Sequence, residues 1–399
     1  MNSGPLAGVR VVEAGRFASA PSCATILADW GADVIKIEPP GGDPARGAWT
    51  PTTGRRGQPV NPRFDVHNRT RRSVVMDMSQ ADGRALARRL IGTADVFVTN
   101  MRTTVLQRME LDNDTLRDAD PRLVYAQVTA YGAADDNDLR SYDHGAFWSY
   151  SGLAALYADD GGRPPQPTGG MGDRAAGSAL AGAVCAALFA RERTGRGDYV
   201  TVSLLRTAMW LMASDVADVL RNPGLSRSVD RLTAPIPTLN CFRCADGQWL
   251  WLQSMLPAQD WDRLLTALDA QWLDDDPRFR GGTELTLEKS RIALVEALDE
   301  IFRQHPRDEW CRRLAAAGLT VSPVHSLAEA VRDPLVMGSG AFLDVAHDAG
   351  DYVTVNSPCS FAESPPAQGT PPPGAGEHTD EVLAELGAAG TMSMQRDVP

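Results

Sequence analysis

The chain has 399 residues, and at about 150 residues per domain this length predicts two or three domains. Hydrophobic residues make up 43% of the chain and charged residues 23%, a balance that excludes a disordered protein and is ordinary for a globular enzyme. The 39 Lys and Arg are outnumbered by 51 Asp and Glu, and a net charge of −12 argues against nucleic acid as the main partner.

The first part of the chain alternates β-rich runs with segments of helix length. Runs rich in Val and Ile predict buried strands at 9–14, 33–38, 73–78, 95–100 and 123–130. Amphipathic segments at 22–30 and 80–93 predict helices between these strands. Such alternation predicts an α/β fold, with a mostly parallel sheet covered by helices on both faces.

The same pattern continues to about residue 221. A Gly- and Pro-rich loop at 161–172 leads into a predicted helix at 174–193. A strand is predicted at 198–205, followed by a helix that runs to about Leu220. We therefore assign residues 1–221 to the first part of a large α/β domain.

The pattern changes after residue 221. Residues 222–237 are polar and contain three prolines, so they predict a linker. Residues 238–317 predict a smaller α+β domain, with a hairpin at 238–254 and helices at 257–270, 287–304 and 308–317. Residues 318–399 are expected to return to the large domain and to end in a helix near 379–386.

Three features bear on the compartment of the protein. The longest uncharged apolar stretch, 175–190, is shorter than the roughly 20 residues of a membrane span and rich in Ala and Gly, so it predicts a buried helix. The first residues lack the basic start and apolar run of a signal peptide. Six cysteines in a chain of this length do not form a disulfide framework. We expect a cytoplasmic, reduced protein without membrane contact.

Several common catalytic motifs are absent from the sequence. It contains no G-x-S-x-G, no P-loop and no H-E-x-x-H, and the segment after the first strand, GRFAS (15–19), is not a dinucleotide fingerprint. No two of the six histidines have metal-ligand spacing. Cys241 and Cys244 form the one C-x-x-C, which reads either as a redox pair or half a zinc site, or as two small apolar residues on a hairpin. Nothing nearby completes a zinc site, which favours the second interpretation.

Candidate ligand-binding residues follow a predicted strand. Asn100, Met101 and Arg102 come just past the end of the strand at 95–100, and Arg108 lies beyond them. Ligands of open α/β sheets bind at that edge, where two arginines beside a helix start would form a phosphate cradle. A solvated arginine face is the alternative in a chain so rich in Arg.

Two carboxylates stand beside predicted helix starts. Asp173 follows the glycine-rich segment GGMG (169–172) directly before a predicted helix, and Asp143 lies 30 residues earlier. Both are consistent with ordinary helix capping. Asp173 is also placed to act as a nucleophile, since glycines admit a bulky substrate and helix N–H groups stabilise an anion.

Segments spread over nearly the whole chain share an order and spacing with a known family. They are LAGVRVVE (6–13), LADWGADVIKIE (27–38), GDPAR (42–46), NRTRRS (68–73), ADVFVTNMR (94–102), PRLVY (121–125), TGRG (194–197) and GEHTDEVL (376–383). In these segments the chain resembles the family III CoA-transferases, which include formyl-CoA transferase, carnitine CoA-transferase and the α-methylacyl-CoA racemases.

The resemblance implies a fold, an assembly and a reaction. It implies a Rossmann-like large domain with a smaller domain, an interlocked homodimer, and CoA transfer through aspartyl anhydride and aspartyl-CoA thioester intermediates. Asp173 matches the family's nucleophile, and Asp143 an acidic residue near the reacting thioester. Acyl-CoA and a carboxylic acid are the implied substrates, with no tightly bound cofactor and no metal. The positions that match CoA contacts are Ala18, Ser19, Met76, Asp77, Met78, Ser79, Asn100, Met101, Arg102, Arg108 and Arg140.

The sequence departs from the family at two places. Pro39 stands where many members have an Arg near the adenine, so the adenine is held differently or by another Arg. The formyl-CoA branch has a run of four glycines in its small domain, and residues 234–260 contain none. Residues 234–247 are more similar to transferases acting on 2-hydroxy or aryl acids. Phe17, Trp148 and Tyr150 are candidate specificity residues, with core packing as the alternative.

The family also contains racemases, which move an α-proton with a His–Asp pair. Tyr142 occupies the position that matches the histidine, and a neutral phenol with a pKa of about 10 is a poor base. His144 could replace it only through a two-residue slip. We therefore predict a CoA-transferase, with a 2-methylacyl-CoA racemase and a non-catalytic CoA-binding protein as alternatives.

Overall fold

The computed structural model describes residues 4–48, 52–53, 59–132, 139–159, 162–223, 230–255, 257–282, 285, 287–347, 350–365 and 369–387. They divide into two compact units, one drawn from residues 1–225 and 338–399 and the other from residues 226–337. A parallel sheet organises the first unit, and a smaller antiparallel sheet organises the second.

The first unit is the predicted α/β domain. Its strands before residue 223 are β1 (Arg10–Ala14), β2 (Asp33–Glu38), β3 (Thr52–Thr53), β4 (Pro59–Val60), β5 (Arg72–Val75), β6 (Val96–Thr99), β7 (Val124–Thr129) and β8 (Tyr199–Ser203). Six of them form one sheet in the order β5–β2–β1–β6–β7–β8, and every neighbouring pair is parallel. The six strands predicted from β-rich runs are therefore confirmed to within a few residues.

Helices connect these strands and cover the sheet. They are α1 (Ser19–Asp29), α2 (Pro62–Asn68), α3 (Ala81–Ile91), α4 (Thr103–Met109), α5 (Asn113–Ala119), α6 (Leu153–Leu156), α7 (Met171–Thr194), α8 (Leu204–Leu211) and α9 (Ala213–Arg221). A single π-helical turn spans His144–Ser149. The short helices α2, α4 and α5 have too few residues to show an apolar period, so their extents were not predicted, although a helix start was expected beside Arg102, where α4 begins.

The sheet is buried on both faces, which explains why its strands are rich in Val and Ile. Alternate residues of β1 and β6, such as Val11 and Val98, pack on one side with α1 and α7. Their neighbours Val12 and Phe97 pack on the other side with α3, α4 and α5.

Helix α7 is longer than the apolar stretch that predicted it. By length and composition alone it is the one helix among the described residues that could cross a membrane. In this fold, one face of it is buried, and that face packs against α1 and the sheet. The sequence analysis expected a buried helix here. That expectation holds for the packed face of α7 only, because the opposite face is exposed.

A close contact between α1 and α7 makes one glycine indispensable. A Cβ on Gly177 would lie 2.7 Å from Ser22 Cβ, 2.8 Å from the Ser19 carbonyl oxygen and 3.0 Å from the Cys23 nitrogen. We expect Gly177→Ala to destabilise the protein by about 1–3 kcal/mol, because backbone atoms cannot move aside cheaply. Gly182 lies on the same helix with no described atom within 4 Å of its Cβ position. Gly182→Ala should raise stability by up to about 1 kcal/mol.

Thermal unfolding of the two variants checks this prediction. The midpoint temperature of unfolding should fall by several degrees for Gly177→Ala and stay level or rise for Gly182→Ala. If Gly177→Ala unfolds at the same temperature as the unsubstituted protein, the close packing of α1 on α7 is contradicted.

The second unit contains the predicted hairpin and helices. Its elements are β9 (Leu239–Arg243), β10 (Trp249–Gln253), α10 (Pro257–Leu268), α11 (Trp272–Asp275), α12 (Glu288–Phe302), α13 (Arg307–Ala316), β11 (Val321–Pro323), α14 (Leu327–Ala330) and α15 (Pro334–Met337). The strands form an antiparallel sheet in the order β11–β10–β9. Cys241 and Cys244 are free thiols of the hairpin, and Cys244 is buried in the core of this unit.

One predicted domain boundary is wrong. The sequence analysis returned the chain to the large domain at residue 318, but residues 318–337 belong to the second unit. The reason is that β11 pairs with β10, so the segment completes the small sheet. The second unit also takes in residues 230–237 of the predicted linker, while residues 224–229 lie outside the described residues.

The last part of the chain returns to the first unit. It forms a hairpin of β12 (Phe342–Val345) and β13 (Tyr352–Val355), followed by α16 (Thr379–Glu385). Arg72 at the start of β5 forms ion pairs with Glu381 and Glu385 of α16. The predicted final helix is thereby confirmed and located at the edge of the sheet.

Candidate active site

A cleft opens where the order of the parallel strands reverses. From β1 the chain passes to β2 on one side, whereas β6 flanks β1 on the other, and such a switch point leaves a crevice at the carboxyl ends of the strands. The cleft has a volume of about 900 Å³. Its lining comes from the segments that follow β1, β6 and β7, from residues 139–142 and from Asp173 and Leu204.

Asn100, directly after β6, ties two of these segments together. Its Oδ1 accepts a hydrogen bond from the Arg16 N–H at 3.0 Å, and its Nδ2 donates to the Arg16 carbonyl oxygen at 2.8 Å and to Ser19 Oγ at 2.9 Å. The sequence analysis expected Asn100 to contact a ligand. In the structure it lines the cleft, and its amide holds the loop between β1 and α1.

That loop carries an unusual backbone conformation at the cleft wall. Phe17 has a φ of 61°, in the left-handed region that non-glycine residues adopt at a cost of about 1–3 kcal/mol. Its N–H points to Asp43 Oδ1 at 3.4 Å, and Asp43 is itself paired with Lys36 at 3.0 Å. The Phe17 ring packs edge-on against Tyr142, with centroids 6.3 Å apart. Strain of this kind is typical of functional sites, where the surrounding fold maintains it.

Asp143 caps the helix that bears Asp173. Its two carboxylate oxygens accept the backbone N–H groups of Gly170, at 2.9 Å, and of Asp173, at 3.2 Å. Gly170 is the N-cap residue and has a φ of 79°, so a carboxylate from another segment supplies the missing acceptor. The sequence analysis expected Asp143 to cap the helix start beside it; its side chain makes no capping hydrogen bond to the π-helical turn that follows it and caps α7 instead.

Asp173 lies inside the helix, which corrects its predicted place before the helix start. Helix α7 begins at Met171, so Asp173 is its third residue. The helix starts early because Gly170 turns the chain and Asp143 satisfies the first N–H groups. Gly172 allows this arrangement, since a Cβ there would lie 2.2 Å from Phe147 Cγ and 2.4 Å from Asp143 Oδ1.

The environment of Asp173 perturbs its ionisation. Burial raises the pKa of its carboxyl to about 6, and the negative charge of Asp143 contributes in the same direction. Arg174, His144 and a hydrogen bond from the Ser19 side chain lower the pKa. The result is a poorly solvated carboxylate that is ionised at neutral pH and faces the cleft, as a nucleophile requires.

Most of the expected CoA-contacting residues come together in the cleft. Ala18, Ser19, Met101, Arg102 and Arg140 line it with Asn100 and Asp173. Arg16 and Thr129 line it too and were missed. Arg16 follows the predicted strand at 9–14 and Thr129 lies near the end of the predicted strand at 123–130, so the rule that ligands bind at the carboxyl ends of strands could have found both. With Arg16, three arginines face a cleft of an otherwise acidic chain, which suits an anionic ligand.

Other expected positions lie outside the cleft lining. Met76, Asp77, Met78 and Ser79 follow β5, two strands away from β1. Met76 and Met78 are buried in the core, and Asp77 accepts hydrogen bonds from Ser79. Arg108 is exposed on α4, where its Nε donates to the Thr104 carbonyl oxygen at 3.1 Å.

The candidate specificity residues separate in the structure. Phe17 lines the cleft, whereas Trp148 packs against the core of the first unit and Tyr150 is exposed outside the lining. The described residues hold no group of three or more His, Cys, Asp and Glu side chains able to bind a metal ion. Asp173 and the three arginines are the charged residues among those that line the cleft.

Known proteins resemble this chain over nearly its full length. The sequence model of CoA-transferase family III matches residues 6–379. The (R)-2-hydroxy-4-methylpentanoate CoA-transferase of Clostridioides difficile is 30% identical over 385 residues, covering 96% of this chain and 95% of that protein. The cinnamoyl-CoA:phenyllactate CoA-transferase of Clostridium sporogenes is 30% identical over 392 residues, covering 97% and 94%. A CAIB/BAIF family protein from Brucella suis has a crystal structure that superposes with a TM-score of 0.85 at 26% identity, covering 96% of this chain and 100% of that one.

Proposed function

This chain belongs to CoA-transferase family III and is a CoA-transferase, and we propose that it works through covalent intermediates on Asp173. The observation that carries the proposal is the desolvated Asp173 carboxylate at the wall of a cleft that three arginines line. Carboxylates act as covalent nucleophiles when an activated acyl group is brought to them. The acyl donor is an acyl-CoA thioester, and the acceptor is a carboxylic acid.

The proposed reaction begins with two exchanges at the enzyme. A carboxylate oxygen of Asp173 attacks the thioester carbonyl, the C–S bond breaks, and a mixed anhydride and the CoA thiolate form. The thiolate then attacks the aspartyl carbonyl of the anhydride. This step releases the donor as a free carboxylate and leaves an aspartyl-CoA thioester.

The acceptor acid completes the cycle by the same two steps in reverse order. Its carboxylate attacks the aspartyl-CoA thioester, which gives a second anhydride and frees the thiolate again. The thiolate attacks the acceptor's carbonyl, forms the new acyl-CoA and restores the Asp173 carboxylate. One thioester is lost and one is formed, so the protein's task is positioning and the stabilisation of developing charge.

The residues of the cleft suit this task. Arg16, Arg102 and Arg140 offer planar guanidinium groups, which bind phosphate with two parallel hydrogen bonds. Burial of Asp173 keeps water from the anhydrides, which hydrolyse readily. Asp143 fixes the backbone of the nucleophile.

A 2-methylacyl-CoA racemase is the second candidate. In its favour, His144 lies close enough to Asp173 to lower the pKa of that carboxyl. Against it, Tyr142 rather than His144 lines the cleft. A racemase would introduce deuterium from solvent at the α-carbon of a 2-methylacyl-CoA, and a transferase would not.

The relatives suggest a substrate class for the transfer. The named substrates of two of them, 2-hydroxy-4-methylpentanoate and phenyllactate, are both 2-hydroxy acids with a bulky side chain. We propose acids of this class as substrates here. The Phe17 and Tyr142 rings at the cleft wall supply an apolar surface for a branched or aromatic side chain.

The exposed apolar residues of the first unit support a homodimer. Phe189 of α7, Trp210 and Leu211 of α8 and Leu220 of α9 are all at least 60% exposed. A patch of this kind on an enzyme is typical of a protein interface. We propose that a second copy of the chain covers it, in the interlocked form of the family, in the cytoplasm.

Trapping with hydroxylamine tests the proposed function. Incubation with an acyl-CoA and hydroxylamine should convert Asp173, and not Asp143, into a hydroxamate that peptide mass analysis locates. The acyl-CoA donors are screened against a panel of 2-hydroxy, aryl and dicarboxylic acids, with a sample lacking acyl-CoA as control. An active preparation whose Asp173 stays unmarked would exclude the covalent mechanism.

A further inference from the structure

Asn100 fastens the loop between β1 and α1 through three hydrogen bonds. Its Oδ1 accepts the Arg16 N–H at 3.0 Å, and its Nδ2 donates to the Arg16 carbonyl oxygen at 2.8 Å. The side-chain amide thus pairs with both polar groups of one backbone residue, as a neighbouring strand would. The same Nδ2 donates to Ser19 Oγ at 2.9 Å, at the first residue of α1. Asn100 therefore fixes the loop on both sides of Phe17.

Phe17 lies between these points in a backbone conformation that needs support. Its φ of 61° is in the left-handed region, which a residue with a bulky side chain leaves unless the surrounding structure holds it there. Two buried side chains add to the support: Lys36 Nζ donates to the Gly15 carbonyl oxygen at 3.1 Å, and Asp43 Oδ1 accepts the Phe17 N–H at 3.4 Å. The loop is thus fastened at residues 15, 16, 17 and 19.

The fastened loop presents the Phe17 ring to the cleft. The ring meets Tyr142 edge-on with centroids 6.3 Å apart, and the two are the only aromatic residues among the described residues that line the cleft. Tyr142 is directly followed by Asp143, whose Oδ1 accepts the Asp173 N–H at 3.2 Å. Through Asp143 the ring pair is joined to the start of the helix that bears the proposed nucleophile, where the carboxylate of an acid substrate would react.

From these contacts we propose that Asn100 is a positioning residue for substrate selection: it holds the Phe17 ring in place, and the ring favours acids with a bulky side chain over small ones. The inference rests on the proposed function and its class of 2-hydroxy acids, and it adds the residue that keeps the apolar wall rigid. A wall that is already ordered loses little conformational entropy when the acid binds. Without the Asn100 amide, Phe17 relaxes out of the left-handed region and its ring leaves the wall.

Discrimination between two acids tests the inference. With cinnamoyl-CoA as the common donor, kcat/KM is measured for phenyllactate and for lactate, which differ only in the phenyl ring. We expect Asn100→Ala to lower the ratio of the two values about tenfold, because kcat/KM for phenyllactate falls. An effect of the substitution on the binding of acyl-CoA is the same for both acids and cancels in the ratio. If Asn100→Ala does not fold, Asn100→Asp takes its place with the same expectation, since it keeps the acceptor for the Arg16 N–H and loses both donated bonds.

Phe17→Ala shows whether Asn100 acts through the ring. It should lower the same ratio at least as far, and adding Asn100→Ala to Phe17→Ala should lower it no further. A merely structural role for Asn100 would lower kcat/KM equally for the two acids. Asn113→Ala is the matched control, because Asn113 lies on α5 outside the cleft lining and its amide donates to Asp114 at 2.8 Å. Asn113→Ala should leave the ratio unchanged.

The outcomes separate this inference from the proposed function. If hydroxylamine traps Asp173 but Asn100→Ala raises the KM for acyl-CoA and leaves the ratio unchanged, Asn100 is a CoA contact, and its role in selection is refuted while the covalent mechanism stands. An unsubstituted enzyme that uses lactate as well as phenyllactate, or uses neither, refutes the selection itself. If Asp173 is never trapped in active enzyme, the covalent mechanism fails, whereas a ratio that falls in Asn100→Ala still supports the role of Asn100.

Discussion

Asp173→Asn should abolish CoA transfer, with kcat lowered by roughly 10⁴-fold or more, because a carboxamide cannot form the anhydride of the proposed reaction. The substitution keeps the size of the side chain, and the backbone N–H that Asp143 accepts is unchanged. Binding of CoA should survive, since the arginines of the cleft remain. Steady-state transfer assays and CoA titrations measure the two effects separately.

The same variant should be more stable than the unsubstituted protein at neutral pH. Burial raises the pKa of Asp173 from 3.8 to about 6, so the folded state binds this proton more tightly than the unfolded chain does. Stability therefore falls as the pH rises from about 4 to about 6, and the full penalty applies above that range. An Asn side chain carries no charge, so the variant does not pay the cost of burying a carboxylate. A pKa shift of about two units corresponds to a cost of about 1–3 kcal/mol.

Thermal unfolding at two pH values checks the sign of this effect. Asp173→Asn should melt several degrees above the unsubstituted protein at about pH 7.5 and level with it at about pH 4. Asp82 provides the control, because it is an exposed first-turn aspartate of another helix, α3. Asp82→Asn should keep full activity and gain no stability. An Asp173→Asn protein that retains activity within tenfold, or melts lower at neutral pH, would contradict the role of Asp173 as a desolvated nucleophile.

Local patterns in the sequence were sufficient to predict the strands of the sheet and the segment that bears the proposed nucleophile. The run 33–38 contains Val34, Ile35 and Ile37 because β2 is buried on both faces, and the glycines of 169–172 mark the turn into α7. Both signals are local: the first reflects strand burial and the second the steric freedom of glycine. Their interpretation needed no knowledge of distant residues.

The contacts that complete the site are between residues far apart in the sequence, and no local pattern contains them. Asp143 caps a helix that starts 28 residues later, and Asn100 reaches Ser19 across 81 positions. The same limit explains the wrong boundary at residue 318. The sequence of residues 321–323 indicates a strand, but it does not indicate that this strand pairs with β10 rather than with the large sheet.

Lys36→Met should strongly destabilise the first unit. Lys36 is fully buried, and its Nζ lies 2.8 Å from Glu13 Oε1, 3.0 Å from Asp43 Oδ2 and 3.1 Å from the Gly15 carbonyl oxygen. Arg71, also buried, is the other partner of Glu13. Removing the ammonium leaves the buried Asp43 carboxylate without its ion-pair partner, which costs about 3–5 kcal/mol. Denaturant unfolding measures this loss.

The sequence supplies a control, since its only other lysine is Lys289, which is exposed on α12. Lys289→Met should change the free energy of unfolding by no more than about 0.5 kcal/mol. A comparable loss in both variants would mean that burial of the ion pair is not the cause.

A double-mutant cycle separates the charge of Lys36 from its packing. If the cost of Lys36→Met comes from a carboxylate left alone, adding Asp43→Asn should recover part of it, because the amide is neutral. Asp43 Oδ1 also accepts the Phe17 N–H, and an asparagine keeps that acceptor, so a separate variant, Asp43→Ala, removes the contact, and transfer activity should fall in it as Phe17 loses support for its left-handed conformation. Strictly additive losses in stability would instead assign the cost to packing, and the buried charges would then have no part in maintaining the wall of the cleft.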